Sequence, residues 1–501
     1  MFKRVLVANR GEIAIRIIRA AKELGIETVA IYHEVDKESP FVYYADYTYQ
    51  LFSETPKGAY LDIEQIISVA KKSGAEAIHP GYGFLSENAE FCEAVNSSGL
   101  KFIGPYPHAI DVMGNKTKAR KLMADAGVPI VPGTKEPISN ISKAMEVAQD
   151  LGYPVLLKAS AGGGGKGMRK VYSPSEFQSN YEAAQREALK AFGDDSIYIE
   201  KFIECPKHIE FQIIADEYGN YVHLGERDCS IQRRHQKVIE EAPSTVLDEN
   251  LRQRMGEVAI NAAKACNYVN AGTIEFIFDK KSNFYFLEMN TRLQVEHPVT
   301  ERITDIDLAK EQIKIASGER LSFNQEDVYW KGHSIECRIY AEDPFNNFLP
   351  DTGIIKYLRE PAGKGVRIDS GVETGSIVSI HFDPLLAKLI TKGRDRQEAI
   401  SRMERALRHY RIKGVKTTIP FELAVMKHPD FLYGWFDTSF IENSFDFKSL
   451  TNMKNEYEEY IAAIAAYGYR LINVPKTTNI QSKTQKISQW RTKNINLMGY
   501  Y

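Results

Sequence analysis

Residues 287–298 read Leu287-Glu288-Met289-Asn290-Thr291-Arg292-Leu293-Gln294-Val295-Glu296-His297-Pro298. The approach to them, Phe284-Tyr285-Phe286-Leu287, is apolar and aromatic and predicts the end of a β-strand. The two-residue period of a strand then puts Glu288 and Asn290 on one face, with Leu287 and Met289 on the other. Arg292, Gln294 and Glu296 continue the alternation, so the row reads as the wall of a polar cleft.

Upstream, Thr273-Ile274-Glu275-Phe276-Ile277-Phe278-Asp279 alternates in the same way, and Lys280-Lys281-Ser282-Asn283 has the polar character of a hairpin turn. With those four residues as the loop, Asp279 pairs with Phe284 and Glu275 falls directly opposite Glu288. Like charges directly opposite destabilise a sheet, and a divalent cation removes that penalty. With Asn290 as a third oxygen donor, the set Glu275, Glu288 and Asn290 suits Mg²⁺ or Mn²⁺ rather than zinc.

The chain's 501 residues suffice for about three domains. A formal charge of −2 gives no basic excess for nucleic acid. The five cysteines form no C-x-x-C pair, which argues against a zinc ribbon or a disulfide framework and fits a reducing compartment. The N-terminus lacks the uninterrupted apolar core of a signal peptide, and no apolar run spans a bilayer. A cytoplasmic globular protein is expected.

In chain order, a buried-type strand at 4–8 precedes a helix at 11–24 stopped by Gly25, then a strand at 28–32, helices at 62–72 and 87–97, and a strand from 77 running into Gly81-Tyr82-Gly83. This alternation predicts a parallel sheet covered on both faces. The first strand–helix turn lacks G-x-G-x-x-G, so no dinucleotide site is expected there. Pro132-Gly133, Pro137 and Ser139-Asn140 mark a boundary. A smaller unit follows, with helices at 141–151 and 175–191 and strands at 154–159 and 196–203. A larger unit carries the strand at 208–214, the hairpin, a strand at 335–339 and a helix at 395–410. Residues 455–471 read as a last helix and 474–494 as a polar, mobile tail.

The run Gly162-Gly163-Gly164-Gly165-Lys166-Gly167 costs backbone entropy and contributes no burial, so it reads as a flap whose N–H groups close over phosphates. It departs from the P-loop pattern at Gly167. Lys158 ends an otherwise apolar strand and needs an anionic partner, whereas Lys116, taken alone, reads as an ordinary exposed lysine. His208, Glu210 and Gln212 share a strand face opposite Ile209, Phe211 and Ile213. The stretch from Glu226 to Lys237, dense in cations and amides, reads as an anion-recognition segment facing the cleft.

Together, Val7-Ala8-Asn9-Arg10-Gly11-Glu12-Ile13-Ala14, His79-Pro80-Gly81-Tyr82-Gly83-Phe84-Leu85-Ser86-Glu87-Asn88, the glycine flap, Gln232-Arg233-Arg234-His235-Gln236-Lys237 and the 288–298 segment resemble the biotin carboxylase component of biotin-dependent carboxylases, in the ATP-grasp superfamily. The resemblance runs from Lys3 to about residue 445 and implies an α/β fold. Its parts are an N-terminal parallel-sheet (pre-ATP-grasp) domain over residues 1–114, a mobile glycine-rich lid over 115–203, a C-terminal mixed α+β domain over 204–445 and an extension over 446–501. It implies ATP and Mg²⁺ (or Mn²⁺) as cofactors, carboxyphosphate formed from ATP and bicarbonate, and CO₂ captured by N1 of biotin. ATP falls to Lys116, Lys158, Gly164, Gly165, His208 and His235, with Glu200, Lys201 and Ile203 at the adenine. Glu275 and Glu288, with Asn290, hold the metal that the nucleotide carries. Lys237, Arg292, Gln294 and the backbone of Val295 hold bicarbonate, Glu296 deprotonates it, and Arg338 stabilises the biotin enolate.

One departure is His381-Phe382-Asp383, where the family usually has two tyrosines before the Asp. The chain carries no Ala-Met-Lys-Met-type biotinylation sequence, so biotin is expected on a separate carrier and carboxyltransferase chain. The resemblance also implies that this chain pairs with its own copy as a homodimer. The extension and Val415-Lys416-Thr417-Thr418-Ile419-Pro420 look most like the A subunit of a two-subunit pyruvate carboxylase. The alternatives are acetyl-CoA carboxylase, another ATP-grasp carboxylate ligase, and a silent nucleotide-binding protein. The segment from Arg292 to Glu296, with Arg338, argues against the last two.

Overall fold

The first strand, Arg4–Val7, is the centre of a five-stranded sheet. The computed structural model describes residues 1–472 except 135, 160–167, 193–194 and 235. Residues 1–447 form one compact unit, and the described residues from 448 onward belong to a second; the expected divisions at 114 and 203 fall inside the first.

All neighbours in the N-terminal sheet are parallel, in the order Tyr47–Gln50, Glu27–Tyr32, Arg4–Val7, Ala77–His79 and Lys101–Phe102. Strand alternation sends Leu6 to a core with Ile78, Phe91 and Phe102, and Val7 to one with Ile13 and Ile17. Both faces are therefore covered by helices, as the β-α alternation predicts. Helix ends follow local chemistry: the Asp62 side chain accepts from Gln65 N to start Ile63–Ser73, which Gly74 ends at φ 71°. The edge strand Tyr47–Gln50 adds to the expected elements.

Residues Val155–Ala159, Met168–Val171 and Ile197–Lys201 form a three-stranded antiparallel sheet over a core containing Phe177 and Tyr181 of helix Pro174–Phe192. The flap residues Gly164 and Gly165 lie outside the described residues, as do His235 and the tail expected at 474–494.

The largest sheet has eight antiparallel strands, in the order Phe284–Asn290, Asn270–Phe278, Lys207–Ala215, Tyr221–Arg233, Gln236–Ala242, His333–Tyr340, Leu385–Gly393 and Val366–Ser370. Ile209, Phe211, Ile213 and Phe276 pack into a core with Met255 and Ala259 of helix Glu249–Ala265. The opposite face carries His208, Glu210 and Gln212, the split that alternation predicts, and all three are buried. This face is lined with charge, so each group on it needs a partner.

The strand boundaries extend one expectation and correct another. The segment from Glu226 to Arg233 belongs to the long strand Tyr221–Arg233. Its Glu226, Arg227 and Asp228 are buried in pairs with Arg252, Glu210 and Lys207. Part of its density of charge therefore serves ion pairs buried within the fold. The strand at 284 ends at Asn290, and Glu296 stands at the residue before helix His297–Thr304 without capping it through its side chain, so Arg292, Gln294 and Glu296 lie on the connection between strand and helix. Among the described residues no helix is long and apolar enough to cross a membrane.

Candidate active site

Glu275 stands directly opposite Glu288, though not by the expected loop. Phe278 pairs with Phe284, one position off the expected Asp279–Phe284 pair. Asp279 instead closes the turn, donating from its N–H to Asn283 O at 2.9 Å while its side chain accepts from the N–H groups of Lys281 and Asn283. A bulge then inserts Leu287, which leaves the apolar row and is exposed, while Met289 returns to the core. The bulge restores the register, and Glu288 meets Glu275. Asn290 donates to Glu275 at 2.7 Å and accepts from Arg292 at 3.0 Å. Burial, and then the charge of Glu275, push the Glu288 carboxyl up from its usual range. This is the repulsion that the facing pair implies.

Lys237 is the hub of the cluster. Its ammonium donates to Glu275 and Glu296 at 2.7 Å each and also to Glu210. Val238 is an extra residue between the pairs Gln232–Lys237 and Ile231–Ile239, an irregularity that turns Lys237 toward the same cluster as Glu240. Arg338 completes the arrangement, donating to Glu296 at 2.9 Å and lying 2.6 Å from Glu240. Beneath it, Arg227 is fully buried and binds Glu210, Gln212, Thr273 and Thr300. His208 Nε2 lies 2.9 Å from Glu275.

These pairings set the charge states. Burial favours the neutral form of Glu296, but Lys237, then Arg338 and Arg227, hold it well below the usual carboxylate range. Lys237 is desolvated too, yet Glu210, Glu275 and Glu296 keep it charged. Glu210 is pushed up by burial against the pull of Arg227 and Lys237. Gln294, two residues before Glu296, is buried with its amide nitrogen unpartnered among the described residues. Val295 O accepts from Lys388, which is fully buried.

A second grouping lies in the smaller sheet. Lys158 donates to Glu200, which also binds Arg120 at 2.9 Å, and Lys201 donates to Gly152 O and Tyr153 O. Ile203 follows the end of that strand. Lys116 is exposed, 3.9 Å from Glu288.

Glu240, Glu336 and Lys388 join the site without having been expected there, as does Glu87, which binds Arg292 at 2.8 Å, while Arg227 lay in the 226–237 stretch without being singled out. The signal for Glu336 was present: it sits two residues before Arg338 on one strand row. Phe382, in the departure from the family pattern, packs against Tyr60 and Phe84, with Arg10 lying 3.9 Å over its ring.

Residues 1–110 match the family model for the biotin carboxylase N-terminal domain, 115–324 that for the carbamoyl-phosphate synthase L chain ATP binding domain, and 336–443 that for the biotin carboxylase C-terminal domain. The chain is 54% identical over 442 residues to the pyruvate carboxylase A subunit of Methanothermobacter thermautotrophicus, covering 88% of this chain and 90% of that one. It is 52% identical over 443 residues to biotin carboxylase 1 of Bacillus subtilis, covering 88% and 98%. Among solved structures, it is similar to the biotin carboxylase domain dimer of Hydrogenobacter thermophilus 2-oxoglutarate carboxylase in complex with MgADP, ADP and bicarbonate. That match has a TM-score of 0.81 and 51% identity, and covers 88% of this chain and 97% of that one. The chain belongs to the biotin carboxylase family and is an ATP-dependent ligase of the ATP-grasp fold.

Proposed function

We propose that this chain carboxylates biotin carried on a partner protein, with ATP and bicarbonate as co-substrates, and serves as the A subunit of a pyruvate carboxylase. The observation that carries the reaction is the convergence of Lys237 and Arg338 on the two oxygens of Glu296. Bicarbonate is a weak nucleophile, and a positioned carboxylate that takes its proton strengthens it. Glu296 is ionised for that task, but Lys237 and Arg338 make it a weak base. Lys237, Arg292, Val295 and the unpartnered amide of Gln294 hold the anion. As Lys237 turns toward bicarbonate, its hold on Glu296 loosens and the carboxylate gains basicity. Arg338 faces biotin.

The donors Glu275, Glu288 and Asn290 fit Mg²⁺ or Mn²⁺, since they are hard oxygens and the raised Glu288 carboxyl marks a charge that a cation relieves. When bound, the metal offsets charge on the transferring phosphoryl group. Lys116, Lys158 and His208, with the flap residues Gly164 and Gly165 and with His235, contact ATP in this reading, and Glu200, Lys201 and Ile203 hold its adenine. The four parts expected from the sequence, divided near residues 114, 203 and 445, give the lid and the base between which ATP sits.

Pyruvate as acceptor is supported by the similarity to a pyruvate carboxylase A subunit. Acetyl-CoA is the alternative, because relatives with other names match as well. The partner is a biotin-bearing carboxyltransferase chain, and this chain pairs with its own copy, as in the dimer of the similar structure. Helix Phe447–Ile472 lies beyond the last family match and exposes Tyr460, Ile461, Ile464 and Tyr467 at helical spacing. That stripe docks the biotin-bearing chain. The five unpaired cysteines fit the cytoplasm.

The test is ATP hydrolysis by the purified chain with and without bicarbonate and free biotin. Hydrolysis that needs bicarbonate and rises with biotin supports the reading. Hydrolysis indifferent to both contradicts it.

A further inference from the structure

Glu240 and Glu336 stand directly opposite each other on neighbouring strands at the middle of the large sheet. Both are fully buried, and none of their four carboxylate oxygens accepts a hydrogen bond. Directly opposed side chains leave the sheet about 4.5–5.5 Å apart at Cβ, so two ionised groups there repel in a dry setting. No step assigned to the reaction above uses either of them.

The cations within reach are already committed. Arg338, on the strand of Glu336, lies 2.6 Å from Glu240 and donates to Glu296. Lys388, opposite Arg338 on the next strand, donates to Val295 O and lies 3.3 Å from Glu12 and 3.9 Å from Asp369. Lys237 and Arg227 serve Glu210, Glu275 and Glu296. The remaining titratable neighbours, Glu422, Cys229, Cys337 and Tyr340, are all pushed up by burial and add no positive charge.

We propose that Glu240 and Glu336 form a buried carboxyl pair sharing one proton, and that the single charge left on the pair positions Arg338 against Glu296. The proton resides mainly on Glu336. Burial pushes that group well up, Lys388 opposes, and the charge of Glu240 adds to the rise. Glu240, equally buried but held down by Arg338, is pushed up to about 7. Arg338 is thereby gripped at both ends of its guanidinium, Nε toward Glu240 and Nη2 on Glu296. Its planar fork keeps one orientation toward the acceptor side of the site. Both glutamates are positioning residues in this proposal, acting on the reaction through Arg338.

The consequence for kinetics rests on the biotin carboxylase reading; the protonation state does not. A group protonated in the fold and ionised when unfolded makes stability fall as pH rises above the ordinary carboxylate value, toward the raised one. Glu336→Gln mimics the neutral acid and removes that slope. Thermal unfolding of Glu336→Gln and the natural chain, compared from about pH 5 to about pH 9, is expected to show the variant gaining on the natural chain as pH rises. A variant less stable by a constant margin throughout would mean that Glu336 is ionised and paired, and would overturn the proposal.

The second measurement is turnover with free biotin. Glu240→Gln removes the charge that holds Arg338 and is expected to lower kcat/KM for biotin by about tenfold or more, with KM for ATP nearly unchanged. Glu336→Gln, which keeps the Glu240 charge, is expected to lose much less. Equal losses in the two variants, or a parallel shift in KM for ATP, would assign the pair a merely structural role. If the natural chain shows no biotin-dependent turnover, the functional reading fails while the unfolding comparison still decides the shared proton.

Discussion

Glu288 faces Glu275 because Leu287 bulges out of the ladder between them. The hairpin tip is displaced by one residue from the simplest pairing, and the bulge returns that residue, so two carboxylates come to stand across one sheet face. Removing the charge of one partner tests what the pair is for. Glu288→Gln is expected to weaken the Mg²⁺ dependence of turnover more than the affinity for ATP without metal. An unchanged Mg²⁺ requirement in a metal titration means that the pair does not hold the ion.

Glu296 is expected to be indispensable for chemistry and dispensable for nucleotide binding. Glu296→Ala should retain ATP affinity while bicarbonate-dependent turnover drops ~10²–10⁴-fold, the usual loss for a general base. Near-normal ATP cleavage in that variant would remove Glu296 from the role.

Arg227 supports the cluster from below without reaching solvent. Arg227→Met leaves Glu210 buried beside Glu275 and Glu296 with Lys237 as its remaining cation. Breaking a buried pair in this way costs about 3–5 kcal/mol. A clear fall in Tm is expected, and an unaltered Tm would show that the cluster tolerates the loss.

Glu241 predicts an acid limb of stability. Its carboxyl is fully buried, but Arg396 at 2.8 Å and His333 at 2.9 Å bring it down to about 2. A carboxyl depressed in the fold stabilises it above the unfolded value and loses that contribution as pH falls through the folded value. The window runs from the ordinary carboxylate value down to about 2. The contribution at stake is on the order of 3 kcal/mol by the usual conversion. Glu241→Gln should be less stable than the natural chain at neutral pH, with the gap closing as pH falls through that window. A gap independent of pH would contradict the assignment.

Helix Phe447–Ile472 gives the partner prediction. Truncation at Asn455 should leave turnover with free biotin intact and abolish co-purification of a biotinylated chain. Retained association would remove the helix from docking.

Much of this was legible in the sequence because strands write their faces in alternate residues. His208, Glu210 and Gln212 against Ile209, Phe211 and Ile213 fall as the period dictates. The alternation misled where backbone geometry breaks it. Past Asn290 the chain leaves the sheet, so Arg292 and Glu296 reach the site from the connection between strand and helix rather than from a strand row. The Leu287 and Val238 irregularities leave no mark that composition distinguishes from a regular strand. Arg227 was hidden for another reason: a buried arginine and an exposed one look alike until the next two strands on one side, at Glu210 and Thr273, are in place.

The measurement that bears most directly on the central claim is transfer of labelled carbon from bicarbonate to free biotin by the purified chain with ATP and Mg²⁺, run beside Glu296→Ala and Arg338→Met. Labelled carboxybiotin is expected with the natural chain and only a trace with either variant, with ATP affinity unchanged in both. Label appearing equally in all three, or in none while ATP is still cleaved, would contradict the claim.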